Sequence, residues 1–194
     1  NSMTKFMNGH SDAIAGSITS TEEIIDAIHP VRMLCGTPGD PHAEHAMMKS
    51  FATMDLRIKK QMASASKLAK ALEENKYISK VNHPSLESFK HHKLALDLFG
   101  SDETMSGMIS FIVPENPEKI DEFMLKLNFA HYAMTLGGIR TTLVHPVTSS
   151  HSHMPDEARR AMGITPGLFR LSVGIEDVDD LIADFNQALE VFGE

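Results

Sequence analysis

A single lysine, Lys5, is crowded by hydroxyls in the run Ser2-Met3-Thr4-Lys5-Phe6-Met7-Asn8-Gly9-His10-Ser11-Asp12. A lysine that condenses with a carbonyl must sit where its amine can shed a proton, and hydroxyls just before it can hydrogen-bond a phosphate. A cofactor carrying both an aldehyde and a phosphate, as pyridoxal phosphate does, calls on both features at once. The plain alternative is a solvated surface lysine, which spacing by itself does not exclude. Arg170, between Phe169 and Leu171, could give a carboxylate two parallel hydrogen bonds, or could be an ordinary strand arginine. Thr135 places a hydroxyl in Met134-Thr135-Leu136-Gly137-Gly138, beside a glycine pair that could equally be a plain turn. His145, His151 and His153 lie close together with Asp156 nearby. On a strand, His151 and His153 would share a face and could approach a zinc ion. No Cys pair or His-Glu-x-x-His pattern reinforces them, so the segment is read as a polar loop and no metal is expected. The 13 methionines are read as core filling.

Several of these runs resemble one family, the trans-sulfuration group of pyridoxal-phosphate enzymes of cysteine and methionine metabolism. Its lysine motif has the form Ser-x-Thr-Lys-aromatic leading to Gly-His-Ser/Gly-Asp, and Ser2, Thr4, Lys5, Phe6, Gly9, His10, Ser11 and Asp12 stand in those places. Leu168-Phe169-Arg170-Leu171-Ser172-Val173-Gly174-Ile175-Glu176-Asp177 is similar to the family's C-terminal signature. Met134 to Gly138 resembles its Ser-Leu-Gly-Gly/Asp segment, and His145-Pro146 with Thr148 to His151 follow as in the family. There are departures: Met3 where small residues are usual, Thr135 for serine, and Ser50-Phe51-Ala52-Thr53-Met54 where members often carry Gly-Leu-Lys-Thr-Leu. Asp40-Pro41-His42 resembles the helix start of methionine γ-lyase-like and homoserine-ester-using members.

The resemblance implies that Lys5 is the Schiff-base lysine and proton carrier, and that Ser2 and Thr4 donate to the cofactor phosphate. It likewise implies that Arg170 binds the substrate α-carboxylate, with Thr135 beside it. The implied fold is α/β of the aspartate-aminotransferase-like type (fold type I). Residues 1–57 would end the large cofactor domain and begin the interdomain helix, and residues 58–194 would form a smaller α+β C-terminal domain. The implied cofactor is pyridoxal 5'-phosphate. The implied activity is that of a carbon-sulfur lyase or γ-replacement enzyme on sulfur amino acids or activated homoserine, in a homo-oligomer built as a dimer of dimers. By the same resemblance, a missing N-terminal half would supply a ring-stacking aromatic, an aspartate for the pyridine nitrogen and a glycine-rich phosphate loop. The chain, which opens on Asn1, is accordingly expected to be a C-terminal fragment that is inactive alone. A non-catalytic binding or interaction module of this fold is the other function class.

Composition narrows the partners. The 194 residues hold 18 Lys+Arg against 26 Asp+Glu, a net charge of -8 that offers a phosphate backbone little to grip, so no nucleic acid is expected. No apolar run approaches the roughly 18 residues of a membrane span, so no membrane is expected either. Cys35 is a lone cysteine and points to a reducing, cytoplasmic setting.

The elements that must position these residues are read from periodicity and punctuation. Asp12 to Thr19 is small and β-compatible. Ser20 with Glu23 forms a capping-box pattern for a short helix ended by Pro30, after which Met33-Leu34-Cys35 reads as a strand. Asp40-Pro41 opens a long helix whose stripe of Met47, Phe51, Met54, Ile58, Met62, Ala65, Ala69 and Leu72 predicts one continuous element of about 30 residues, roughly 45 Å. Beyond Asn75 the expectation is strand 78–81, helix 88–98, strand 108–113, a helix from Pro117 to 127, strands 129–133, 141–144 and 168–173, and a closing helix along Val178, Leu181, Phe185 and Leu189.

Overall fold

The computed structural model describes residues 1–193. Seven helices, α1 (Glu22–Leu34), α2 (Pro41–Phe51), α3 (Met54–Glu73), α4 (His92–Phe99), α5 (Pro117–Lys126), α6 (Asp156–Ala161) and α7 (Val178–Leu189), combine with five strands. The strands are β1 (Lys80–Asn82), β2 (Met108–Ile112), β3 (His131–Tyr132), β4 (Thr142–Val144) and β5 (Leu168–Ser172). They form one sheet in the order β1-β2-β5-β4-β3, antiparallel except for the parallel β3–β4 pair.

One face of this sheet makes the core. Phe111 of β2 and Phe169 of β5 stack with ring centroids 5.5 Å apart, and Phe123 of α5 meets both edge-on. Ala65, Leu68, Ala69 and Leu72 of α3, with Leu181, Phe185, Ala188 and Leu189 of α7, complete the buried cluster. Strand alternation then sends Arg170 the other way, since Phe169 and Leu171 are wholly buried while Arg170 is only half-buried. Its apolar neighbours in sequence belong to the opposite face.

Local chemistry sets the helix starts. Asp40 caps α2 through Ala43 N–H with Pro41 at the first position, Asn116 and Pro117 repeat the device at α5, and Asp177 caps α7 through Asp179 and Asp180 N–H. Asp184 of α7 accepts from the Asn128 and Phe129 amides and from the side chains of Asn128 and Gln187. Burial pushes its carboxyl up, but these four donors outweigh burial and hold it below the ordinary range. The chain entering β3 is thereby tied to the closing helix.

Three expectations fail for identifiable reasons. Pro30 does not end α1, which runs to Leu34 and absorbs the predicted strand at Met33–Cys35. The proline removes one N–H, whose partner would be the carbonyl of exposed Asp26, and on a helix with no buried residue that carbonyl is left open to solvent and not stranded in a core. The capping box is absent too: the N-cap is Thr21, with no side-chain cap bond. Finally, the long helix is two helices. Thr53 N–H and Oγ1 both turn back on the Ser50 carbonyl at 3.2 and 3.3 Å, and Arg57 Nη2 adds a third bond at 2.9 Å, so the ladder breaks between Phe51 and Met54. Among the described residues no helix is long and apolar enough to cross a membrane.

Candidate active site

Lys5 lies on a tight turn that its own backbone closes: Asn8 N–H donates to Met3 O and Gly9 N–H to Lys5 O, both at 2.8 Å. Gly9 has φ +71°, and a Cβ there would collide with the Arg57 guanidinium. Behind the turn Asn8 is fully buried, donating to Asp12 Oδ1 at 3.0 Å and accepting from Ser50 Oγ at 3.1 Å. On its other side the run Ala15–Ser17 lies antiparallel to the first residues. Met3 and Thr4 amides donate to Ala15 O, and Ser2 bridges Gly16. The small, β-compatible stretch therefore acts as the floor of the lysine loop.

The second loop, 134–139, docks directly on the first. Gly137 has φ +77°, and a Cβ there would fall 2.5 Å from Phe6 N and 2.9 Å from the Lys5 carbonyl carbon, so only glycine permits the approach. Ile139 N–H donates to Gly9 O at 2.8 Å, and Ser172 Oγ of β5 accepts from Gly137 N–H at 2.8 Å. Arg170, between Ser110 of β2 and Val144 of β4 in the sheet register, reaches the Met134 and Thr135 carbonyls at 3.4 and 3.5 Å. These bonds are long and leave most of the guanidinium donors free. Lys5, Thr135 and Arg170, 130 and 35 residues apart along the sequence, are thus drawn to one place by a single loop.

Two side chains of α3 tie the site together, and neither was evident from the sequence. Arg57 donates to Phe6 O at 3.0 Å and Met7 O at 3.1 Å; Gln61, one turn on, donates to Gly138 O at 2.7 Å and Val173 O at 3.1 Å. The true buried face of α3 begins with Arg57, Gln61 and Ser64 before reaching Leu68 and Leu72. The apolar stripe meets this face at Ala65, Ala69 and Leu72 but runs beside it at Met54, Ile58 and Met62, which are only partly buried.

The histidines do otherwise than gather. His145 is buried, its Nε2 donating to Pro166 O at 2.6 Å and its Nδ1 paired with Thr148 Oγ1 at 3.0 Å, its ring 5.0 Å from Phe169. His151 and His153 fall in a turn and not on a strand. Among the described residues no group of three or more potential ligands could hold a metal ion.

A model of the family described as Cys/Met metabolism PLP-dependent enzyme matches residues 1–190. The chain belongs to that family. It is 35% identical over 191 residues to an L-methionine γ-lyase of Treponema denticola, covering 97% of this chain and 47% of that protein. It is 36% identical over 195 residues to a cystathionine β-lyase of Staphylococcus haemolyticus, covering 100% and 48%. The crystal structure of cystathionine γ-synthase from Xanthomonas oryzae pv. oryzae, in complex with aminoacrylate and cysteine, superposes with a TM-score of 0.89 at 29% identity, covering 99% of this chain and 49% of that one. The chain spans about half the length of the relatives it matches. The α/β fold expected from the sequence is that of these enzymes.

The residues present fit this family's cofactor. Lys5 is half-buried, and among the described residues its amine makes no hydrogen bond or ion pair, so it is free for a carbonyl. Ser2 is exposed, its hydroxyl likewise without a protein partner among the described residues. Thr4 Oγ1 accepts from Ala15 N–H at 3.0 Å and donates to Ala15 O at 3.2 Å. Because that carbonyl already takes the Met3 and Thr4 amides, the Thr4 proton can turn to a phosphate without leaving an acceptor unpaired.

Proposed function

We propose that this chain carries the lysine and the carboxylate clamp of a pyridoxal-phosphate enzyme that cleaves, or replaces a group on, the side chain of sulfur amino acids or activated homoserine. The single observation supporting this reading is the docking of Gly137 on the Lys5–Phe6 peptide, with Arg170 bonded to the Met134 and Thr135 carbonyls of the same loop. An amine that moves protons and a guanidinium that orients a carboxylate are what a reaction at Cα needs side by side.

When bound, pyridoxal phosphate supplies an aldehyde for amines and a ring that draws electrons from Cα. Ser2 and Thr4 hold its phosphate by charge-assisted hydrogen bonds. Lys5 Nζ would anchor the group and, as a free amine, would accept the Cα proton and pass a proton to the leaving group. Arg170 grips the α-carboxylate and so selects which Cα bond is broken. The Thr135 hydroxyl, without a partner among the described residues, adds a donor beside that carboxylate. Residues 1–57 belong to the cofactor domain and 58–194 to the C-terminal domain in this reading. A cytoplasmic homo-oligomer completes it, with the rest of the relatives' length supplying the ring-stacking and pyridine-nitrogen partners.

Borohydride reduction of the complete protein, followed by peptide mapping, should find the pyridoxyl group on Lys5, and Lys5→Ala should abolish both colour and turnover. The loss should reach several orders of magnitude, because one amine anchors and moves protons. A pyridoxyl group on another lysine, or none at all, overturns the assignment.

A further inference from the structure

We propose that Arg57 is the positioning residue for Lys5, fixing the two carbonyls that follow the lysine so that its loop keeps one orientation against the 134–139 loop. The inference rests on the reading above only in taking Lys5 as the reactive amine. Arg57 is 5% exposed and, among the described residues, has no carboxylate partner; its hydrogen bonds go to the carbonyls of Phe6, Met7 and Ser50, at 3.0, 3.1 and 2.9 Å, and to Thr53 Oγ1 at 3.1 Å. A buried guanidinium without a counter-ion is costly, and burial lowers its pKa. Such a group repays its cost only through the backbone it organises, and here two of its three carbonyls belong to the lysine turn. The α2–α3 break serves the same contact, since it frees the Ser50 carbonyl for Arg57. Gln61 holds the facing loop from the same helix surface through Gly138 O. One helix face therefore sets the lysine against the loop on which Arg170 rests.

The test uses the complete, pyridoxal-phosphate-loaded protein. In Arg57→Met, hydrogen exchange at the Asn8 and Gly9 amides should accelerate about tenfold or more, while amides of β2 and β5 keep their protection. Turnover number should fall about 100-fold, with KM within about twofold, because the reacting amine is misplaced and the carboxylate clamp is intact. Arg57→Lys, which keeps the charge and can serve one carbonyl at a time, should recover part of both. Gly9→Ala, which pushes on the guanidinium from the loop side, should reproduce the exchange signature if Arg57→Met does not fold. Unchanged exchange at Asn8 and Gly9, or an equal rise across β2 and β5, overturns the proposal, as does a rise in KM with turnover number preserved. Absence of a pyridoxyl group on Lys5 in the unsubstituted protein would instead sink the functional reading, leaving the exchange data to decide the role of Arg57.

Discussion

At the residue scale the site divides into side chains that touch the reaction and side chains that hold them. Arg170 is proposed for the first group, and the length of its bonds to the Met134 and Thr135 carbonyls matters. They orient the guanidinium without exhausting it. Arg170→Lys should weaken amino-acid substrates by about 2 kcal/mol, since the charge remains and one of two parallel bonds is lost. Cofactor binding should be untouched. Comparing an amino acid with its carboxylate-free amine analogue checks the role, because equal losses for both would remove Arg170 from the carboxylate. That the runs bearing Lys5, Arg170 and Thr135 belong together could be proposed from the sequence because each is a contiguous motif, and the structure joins their loops. Arg57 and Gln61 were not legible there, because what they bind lies 51 and 77 residues away and polar side chains leave no mark on an apolar stripe.

At the element scale, readings held where one chemical device decides and failed where two compete. Asp40-Pro41 and Asn116-Pro117 start helices because cap and fixed φ agree. Across Ala52–Thr53 the apolar spacing continues while the Ser50 carbonyl is drawn to Thr53 and Arg57, and these bonds win. The His83 turn, which leads out of β1, is sensitive to acid. His83 is buried, its Nδ1 accepting from Ser85 N–H at 3.2 Å and its Nε2 donating to Ser106 O at 3.0 Å, an arrangement that requires the neutral ring. Desolvation lowers its pKa, outweighing the Ser106 bond and the Asp102 charge that act the other way. The unfolded chain, with histidine near its ordinary value of about 6.5, takes up the proton first, so His83 contributes stability above that pH and loses it as acid is added. The stability difference between the protein and His83→Gln, measured by urea unfolding, should therefore shrink between about pH 7 and 5. A difference that stays constant or grows over that interval would contradict the neutral, buried assignment.

At the scale of the whole molecule, the unevenness of burial is the informative feature. The core is drawn from residues 65–191, whereas α1 has no buried residue and leaves Ile24, Val31, Met33 and Leu34 exposed. Between α1, α2 and the run 14–18 lies an open groove of about 1200 Å³, lined by Ile18, Ile25, Ile28, Met47 and Phe51 among others. Lys5 is not among its lining residues. Apolar faces of this extent are covered in stable proteins, and the relatives carry about twice this chain's length. In the proposed reading the remainder of that length covers the groove. Expressed alone, the 194-residue chain should show no cofactor-dependent turnover and should associate with itself, because in the proposed reading the ring-stacking partner, the pyridine-nitrogen partner and the phosphate loop come from the rest of the relatives' length. Co-expressed with a separate polypeptide that supplies the rest of the relatives' length, it should elute as a mixed complex and acquire colour and lyase activity. Ile18→Asp together with Val31→Glu should prevent that assembly while leaving the fold of residues 65–191 intact, since neither side chain enters the core. Size-exclusion chromatography with absorbance detection reads both outcomes. Turnover by the isolated chain would mean that its own residues complete a site by themselves, and assembly unimpaired by the paired charges would place the covering partner on another face.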